Sequence, residues 1–155
     1  MVELSWRNKS FSHDRYGSKA EIEGLYKELQ RRHLNEHNDF QYQGIREAYL
    51  LRYDENYGKT QVAKKIRPDF SWSLPLKVNL DREYSLTAVR FLCVFLDSEE
   101  AHKGKQADQD FETDQFIEDQ GSISLRYSYS GNLSETRTRE IVDEIEAKHQ
   151  EAQPP

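Results

Sequence analysis

The stretch "FSWSLPLKVNL" constrains this chain more than any other. Phe70, Trp72, Leu74, Leu76, Val78 and Leu80 alternate with Ser71, Ser73, Pro75, Lys77 and Asn79. Side chains change face at every residue of a β-strand, whereas the apolar residues of a helix recur every third and fourth position. The segment is therefore expected to be a strand with one apolar and one polar side. Pro75 has no N–H to give to a ladder, which places the strand at a sheet edge or puts a bulge at that residue.

Other segments join this one. Residues 85–97 set Val89, Phe91, Cys93 and Phe95 on one face and Leu86, Ala88, Leu92, Val94 and Leu96 on the other, with Arg90 among the latter. Apolar residues on both faces predict a central strand, or one covered on both sides. "GSISLRYSYSG" resumes the alternation, with Ile123, Leu125, Tyr127 and Tyr129 opposite a serine-rich face. Runs 47–53 and 59–66 flank "DENYG", which reads as a hairpin loop, with a helix over 42–53 as the competing assignment.

Two helices bracket the strands. "SKAE" is a capping box at Ser18 and Glu21, followed by Ile22, Leu25, Tyr26 and Leu29 at helical spacing, and the helix should end by about residue 37. "SETRTREIVDEIEAKH" starts from Ser134 and buries Ile141, Val142 and Ile145. The expected fold is α+β, a two-layer sandwich. An antiparallel sheet of about five strands carries the N-terminal and C-terminal helices on one face and presents Ser, Lys, Asn and Arg on the other, with an apolar patch where the central strand crosses. Residues 1–17 read as an N-terminal arm, 18–150 as a single domain, and 151–155 as a disordered tail. Within the domain, 98–120 is a polar acidic connection with too few apolar residues to pack.

Composition matters in two ways. Only 35% of the 155 residues are apolar, so the aromatic 12% must supply much of the core. Charge is uneven: residues 1–80 hold 14 basic and 11 acidic side chains, residues 81–155 hold 8 and 17, giving +3 and −9. The acidic half discourages nonspecific nucleic-acid binding, and the dipolar chain could favour a head-to-tail homodimer. Cys93, the single cysteine, excludes an intrachain disulfide and is expected to pack as a small hydrophobe. No apolar leader or membrane span is visible, so cytoplasmic residence is expected and the sequons at Asn8 and Asn132 should be idle.

The one sequence with catalytic spacing is "HLNEH". On a helix, His33 and His37 would share a face and could hold zinc, with Glu36 orienting a water as general base. A third ligand is required, and Glu112 or Asp114 in the acidic connection could supply it. Against this, histidines near a helix C-terminus have an ordinary electrostatic role. "DQDFETD" places Asp108, Asp110, Glu112 and Asp114 on alternate positions like the start of a calcium loop, but Thr113 stands where the loop needs glycine. Tyr42, Tyr49, Tyr53, Tyr57, Phe70 and Trp72 interleave with basic residues across 42–77, as in sheets that hold single-stranded nucleic acid. Phe70 and Trp72, however, share the register of the core. There is no glycine-rich phosphate loop, no G-x-S-x-G and no Cys/His nucleophile pairing.

The expectation is a small non-catalytic protein-interaction module (adaptor, regulator or chaperone-like) with no cofactor and a protein partner, bound through exposed strand edges. The alternatives are a zinc-dependent hydrolase using His33, Glu36 and His37, and a weak single-stranded nucleic-acid binder.

Overall fold

A computed structural model describes residues 2–8, 20–42, 46–77, 88–98, 105–129 and 133–153. In chain order the elements are β1 (Val2–Asn8), α1 (Ala20–Arg31), a 3₁₀ turn (Leu34–Glu36), β2 (Gln41–Tyr42), β3 (Arg46–Asp54), β4 (Lys59–Ile66), β5 (Phe70–Lys77), β6 (Ala88–Ser98), α2 (Lys105–Asp119), β7 (Ile123–Tyr129) and α3 (Glu135–Glu151). The fold is an α+β sandwich, as the patterns implied. The expected cap at Ser18 and the strand residues 78–80 and 85–87 lie outside the described residues.

The strands divide between two sheets, one ordered β1-β3-β4 and the other β2-β5-β6-β7. In β5, Phe70, Trp72 and Leu74 are buried on the helix side, and the register shifts between Leu74 and Lys77, the bulge that Pro75 called for. β6 lies in the interior of its sheet, paired to β5 on one side and β7 on the other. Its Leu92, Val94 and Leu96 join Leu25 and Leu29 of α1 and Ile141, Val142 and Ile145 of α3 in one core. Both terminal helices thus cover the same face, as expected. The fully buried Trp72 anchors this core, and its indole Nε1 donates to the Leu34 carbonyl at 2.8 Å.

On the other face of this sheet the apolar patch expected where the central strand crosses is covered, one of the two arrangements its two apolar faces predicted. β6 places Phe91, Cys93 and Phe95 there, and these cannot be left solvated. They pack with Ala48 and Ile66 of the three-stranded sheet and Ile117 of α2. Polar neighbours buried by this layer find partners: the Arg46 guanidinium donates to Ser71 Oγ at 3.0 Å and lies 4.3 Å above the Phe91 ring.

Two elements make up much of this extra layer. The expected arm contains β1, whose sequence alternates Val2, Leu4 and Trp6 with polar residues, and Trp6 lies 4.8 Å from the Phe91 ring. Residues 105–119 of the acidic connection form a 15-residue helix, α2, whose Ile117 reaches the core while Asp110, Asp114 and Thr113 meet polar partners. A helix between two strands returns the chain to its starting end, so β7 runs parallel to β6 instead of antiparallel.

Two outcomes test this packing. Trp72→Ala should destabilise the fold by about 3–5 kcal/mol in denaturant unfolding, and a loss under 1 kcal/mol would contradict the buried position. His149 is 7% exposed, beside Trp72 at 6.3 Å, and its Nε2 has no hydrogen-bond partner. Burial, and secondarily the nearby His37 charge, lower its pKa from 6.5 despite Glu146. The unfolded chain therefore takes up a proton that the fold resists, so stability held at neutral pH is lost as pH falls through 6.5 toward the folded value. His149→Gln should flatten the stability profile between about pH 7 and 5. Parallel profiles for the two proteins would sink this assignment.

Candidate functional site

The "HLNEH" stretch does not continue the helix. α1 ends at Arg31, and His33 takes a left-handed conformation at φ 61°, donating its N–H to the Gln30 carbonyl at 3.0 Å. The 3₁₀ turn follows, and His37 is extended at φ −118° and ψ 153°. The two imidazoles are therefore not one helical turn apart. His33 Nδ1 lies 3.3 Å from Glu36 Oε2, with side chains 70% and 61% exposed. Leu34 between them is the residue that enters the core. Locally the stretch ends a helix and seats Leu34 under Trp72.

The chain continues through two more left-handed residues, Asn38 and Asp39, types that tolerate that conformation. Asn38 accepts from the Ser73 N–H at 2.7 Å through its backbone carbonyl. Asp39 accepts from the Arg46 guanidinium at 2.7 Å through Oδ2. This connection thereby ties the helix layer to both sheets.

Glu112 and Asp114 do not approach the imidazoles. Both lie on α2, which packs on the opposite face of the four-stranded sheet from Leu34. Glu112 is exposed, and Asp114 is engaged by Ser124 Oγ at 2.9 Å and the Arg126 guanidinium at 2.8 Å. Among the described residues no three His, Cys, Asp or Glu side chains are grouped to hold a metal ion. The alternating acids from Asp108 to Asp114 are likewise helical, so successive members point about 200° apart around the axis.

Arg126 organises a polar centre that the sequence did not announce. Its guanidinium meets Asp97 at 2.7 Å, Asp114 at 2.8 Å and Asp110 at 3.7 Å, and lies 4.3 Å above the Phe95 ring. Burial opposes its charge, but the hydrogen bonds it donates to Asp114 and Asp97 outweigh that and raise its pKa. The only signal was the alternation in "SLRYS", which puts Arg126 opposite Leu125 and Tyr127. Its role is to join α2, β6 and β7. Cys93 is fully buried, and desolvation pushes its thiol far up despite the Arg46 charge, so it is held as an unreactive thiol.

The aromatic residues of 42–77 do not form one platform. Phe70 and Trp72 are fully buried and Tyr49 nearly so. Tyr42 stacks against Tyr26 and Phe40 at the edge of the four-stranded sheet. Tyr53 and Tyr57 belong to the other sheet, 47% and 71% exposed.

That last pair marks the open surface of the molecule. β3 and β4 are joined by a turn closed by Gly58 at φ 64°, whose N–H donates to the Asp54 carbonyl at 2.8 Å. Among the described residues β1 pairs with β3 from Arg46 to Arg52, and β3 continues with β4 through Asp54. Leu51 pairs with Val62 and Tyr53 with Thr60, which puts these four on one face. Arg52, Asp54, Lys59 and Gln61 take the other face. Val62 is 53% exposed, so the hairpin holds its apolar side in water. A second concave region of about 330 Å³ lies between β7 and the end of α3, but its Arg90 guanidinium is already spent on the Gly121 and Pro75 carbonyls at 2.6 and 3.2 Å.

Among known proteins, no protein family, curated protein or solved structure matches this chain. No helix among the described residues is long and apolar enough to cross a membrane.

Removing the Arg126 charge takes away the cation that Asp97, Asp110 and Asp114 share. Arg126→Met should cost about 3–5 kcal/mol of stability and loosen α2 first, read as faster amide exchange over residues 105–119 than over α3. Equal exchange in the two helices would show that Arg126 does not hold α2.

Proposed function

We propose that this protein is a small cytoplasmic, non-catalytic interaction module, an adaptor, regulator or chaperone-like protein that binds a protein partner through the β3–β4 hairpin. The observation that carries the reading is the hairpin's apolar face. Tyr53 and Val62 stand exposed beside Leu51, with Tyr57 at the tip. An apolar face left in water is a surface waiting for a cover. Tyrosines suit such a role, since each combines a large apolar ring with a polar end.

The edge beside this face is guarded. β4 carries Lys59, Lys64 and Lys65 and a register shift opposite Leu50 and Leu51, both of which oppose pairing with a second β4. Like charges would meet across such a self-pairing. The reading therefore favours a different chain over a symmetric strand-to-strand homodimer.

The zinc-hydrolase alternative needs a third ligand near His33 and His37, and the nucleic-acid alternative needs aromatics gathered on one basic face. Neither arrangement supports its reading as the hairpin supports this one.

Tyr53→Ser with Val62→Thr changes only exposed side chains, so thermal stability should stay within about 0.5–1 kcal/mol of the parent. Partner capture from lysate, by crosslinking and affinity recovery, should fall at least about tenfold. Undiminished capture by the double variant would move the interface elsewhere, and a parent that recovers no partner would refute the module itself.

A further inference from the structure

We infer that the cleft between α1 and the start of α3 is a binding site for a small phosphate-bearing ligand, held by Lys27 and Arg139. The cleft encloses about 260 Å³. One wall is the α1 stripe Gly24, Lys27 and Arg31, and the facing wall is Glu135, Thr138 and Arg139 of α3. Residues three and four apart on a helix share a face, so each wall is one continuous stripe.

The charges here are unbalanced in a chain of net charge −6. Glu28, the carboxylate nearest the floor, is committed twice, with Oε1 3.0 Å from Arg31 and Oε2 3.0 Å from Arg32. Arg32 in turn meets Asp143 at 2.6 Å. Lys27 and Arg139, by contrast, make no ion pair or side-chain hydrogen bond among the described residues. Lys27 on α1 and Arg139 on α3, both exposed, thus line from opposite helices a concavity whose own carboxylates are Glu28, already paired, and Glu135.

Gly24 points the same way. It sits inside α1 without a positive φ, and a Cβ built on it would meet nothing within 4 Å. Neither backbone conformation nor crowding requires glycine there, and glycine weakens a helix. What its missing side chain does is keep the cleft open to the helix backbone. The volume falls below the roughly 300–1,000 Å³ of sites for drug-sized molecules, which suits a phosphate on a short organic body. Lysine and arginine are the residues that hold such a dianion.

The test is titration of the whole ¹⁵N-labelled protein with inorganic phosphate and with β-glycerophosphate, following the Gly24 and Thr138 amides. Saturable shifts are expected with both, and not with sodium chloride at matched ionic strength. Lys27→Gln with Arg139→Gln should weaken binding at least about tenfold. Gly24→Leu should fill the cleft, keep or raise the melting temperature, and reduce β-glycerophosphate binding. Shifts that are absent, that chloride reproduces, or that survive the double charge variant unchanged would overturn the site. If Gly24→Leu fails to fold, the charge variant still decides.

Discussion

β6 is apolar on both sides, and the rest of the molecule is arranged around that fact. Leu92, Val94 and Leu96 need one cover while Phe91, Cys93 and Phe95 need another. A single helical layer can bury only one face of a sheet. The first cover is α1 with α3, and the second is the three-stranded sheet with α2. The three-layer build follows from a strand that has no side it can show to water.

The second layer buries charge as well as rings. Arg46 is 2% exposed, Glu47 is fully buried, and Arg126 sits against three aspartates. An unpaired charge in such a place would be expensive, and each of these has a partner: Asp39 for Arg46, Arg67 and the Tyr49 hydroxyl for Glu47, and the aspartates for Arg126. Such pairs fix which strand and which helix lie against which. Cys93 is sealed among the rings.

Two margins stand out. The β3–β4 hairpin keeps an apolar face in water, and the α1–α3 cleft is lined by two cations with no ion pair among the described residues. They lie on different layers of the sandwich, the hairpin on the three-stranded sheet and the cleft between the helices that cover the other. A protein ligand on one and a small anion on the other would not compete for space.

Local sequence determined the strands from 70 onward and at 88–98, the hairpin, and the two terminal helices, because periods of two and of three to four are set by backbone geometry alone. It also marked Trp72 as core and Pro75 as the site of a bulge. It could not tell that residues 105–119 are a helix, since that helix is held by Ile117 and by aspartates reaching Arg126 from another strand. Nor could it tell that His33 would leave the helix at a left-handed turn, parting His33 from His37, because Leu34 and not a histidine had the apolar surface to bury. Which strands share a sheet, which serines and arginines go inside, and where a cleft stays open were decided only by tertiary packing. Those outcomes depend on partners distant in the chain, and periodicity carries no information about them.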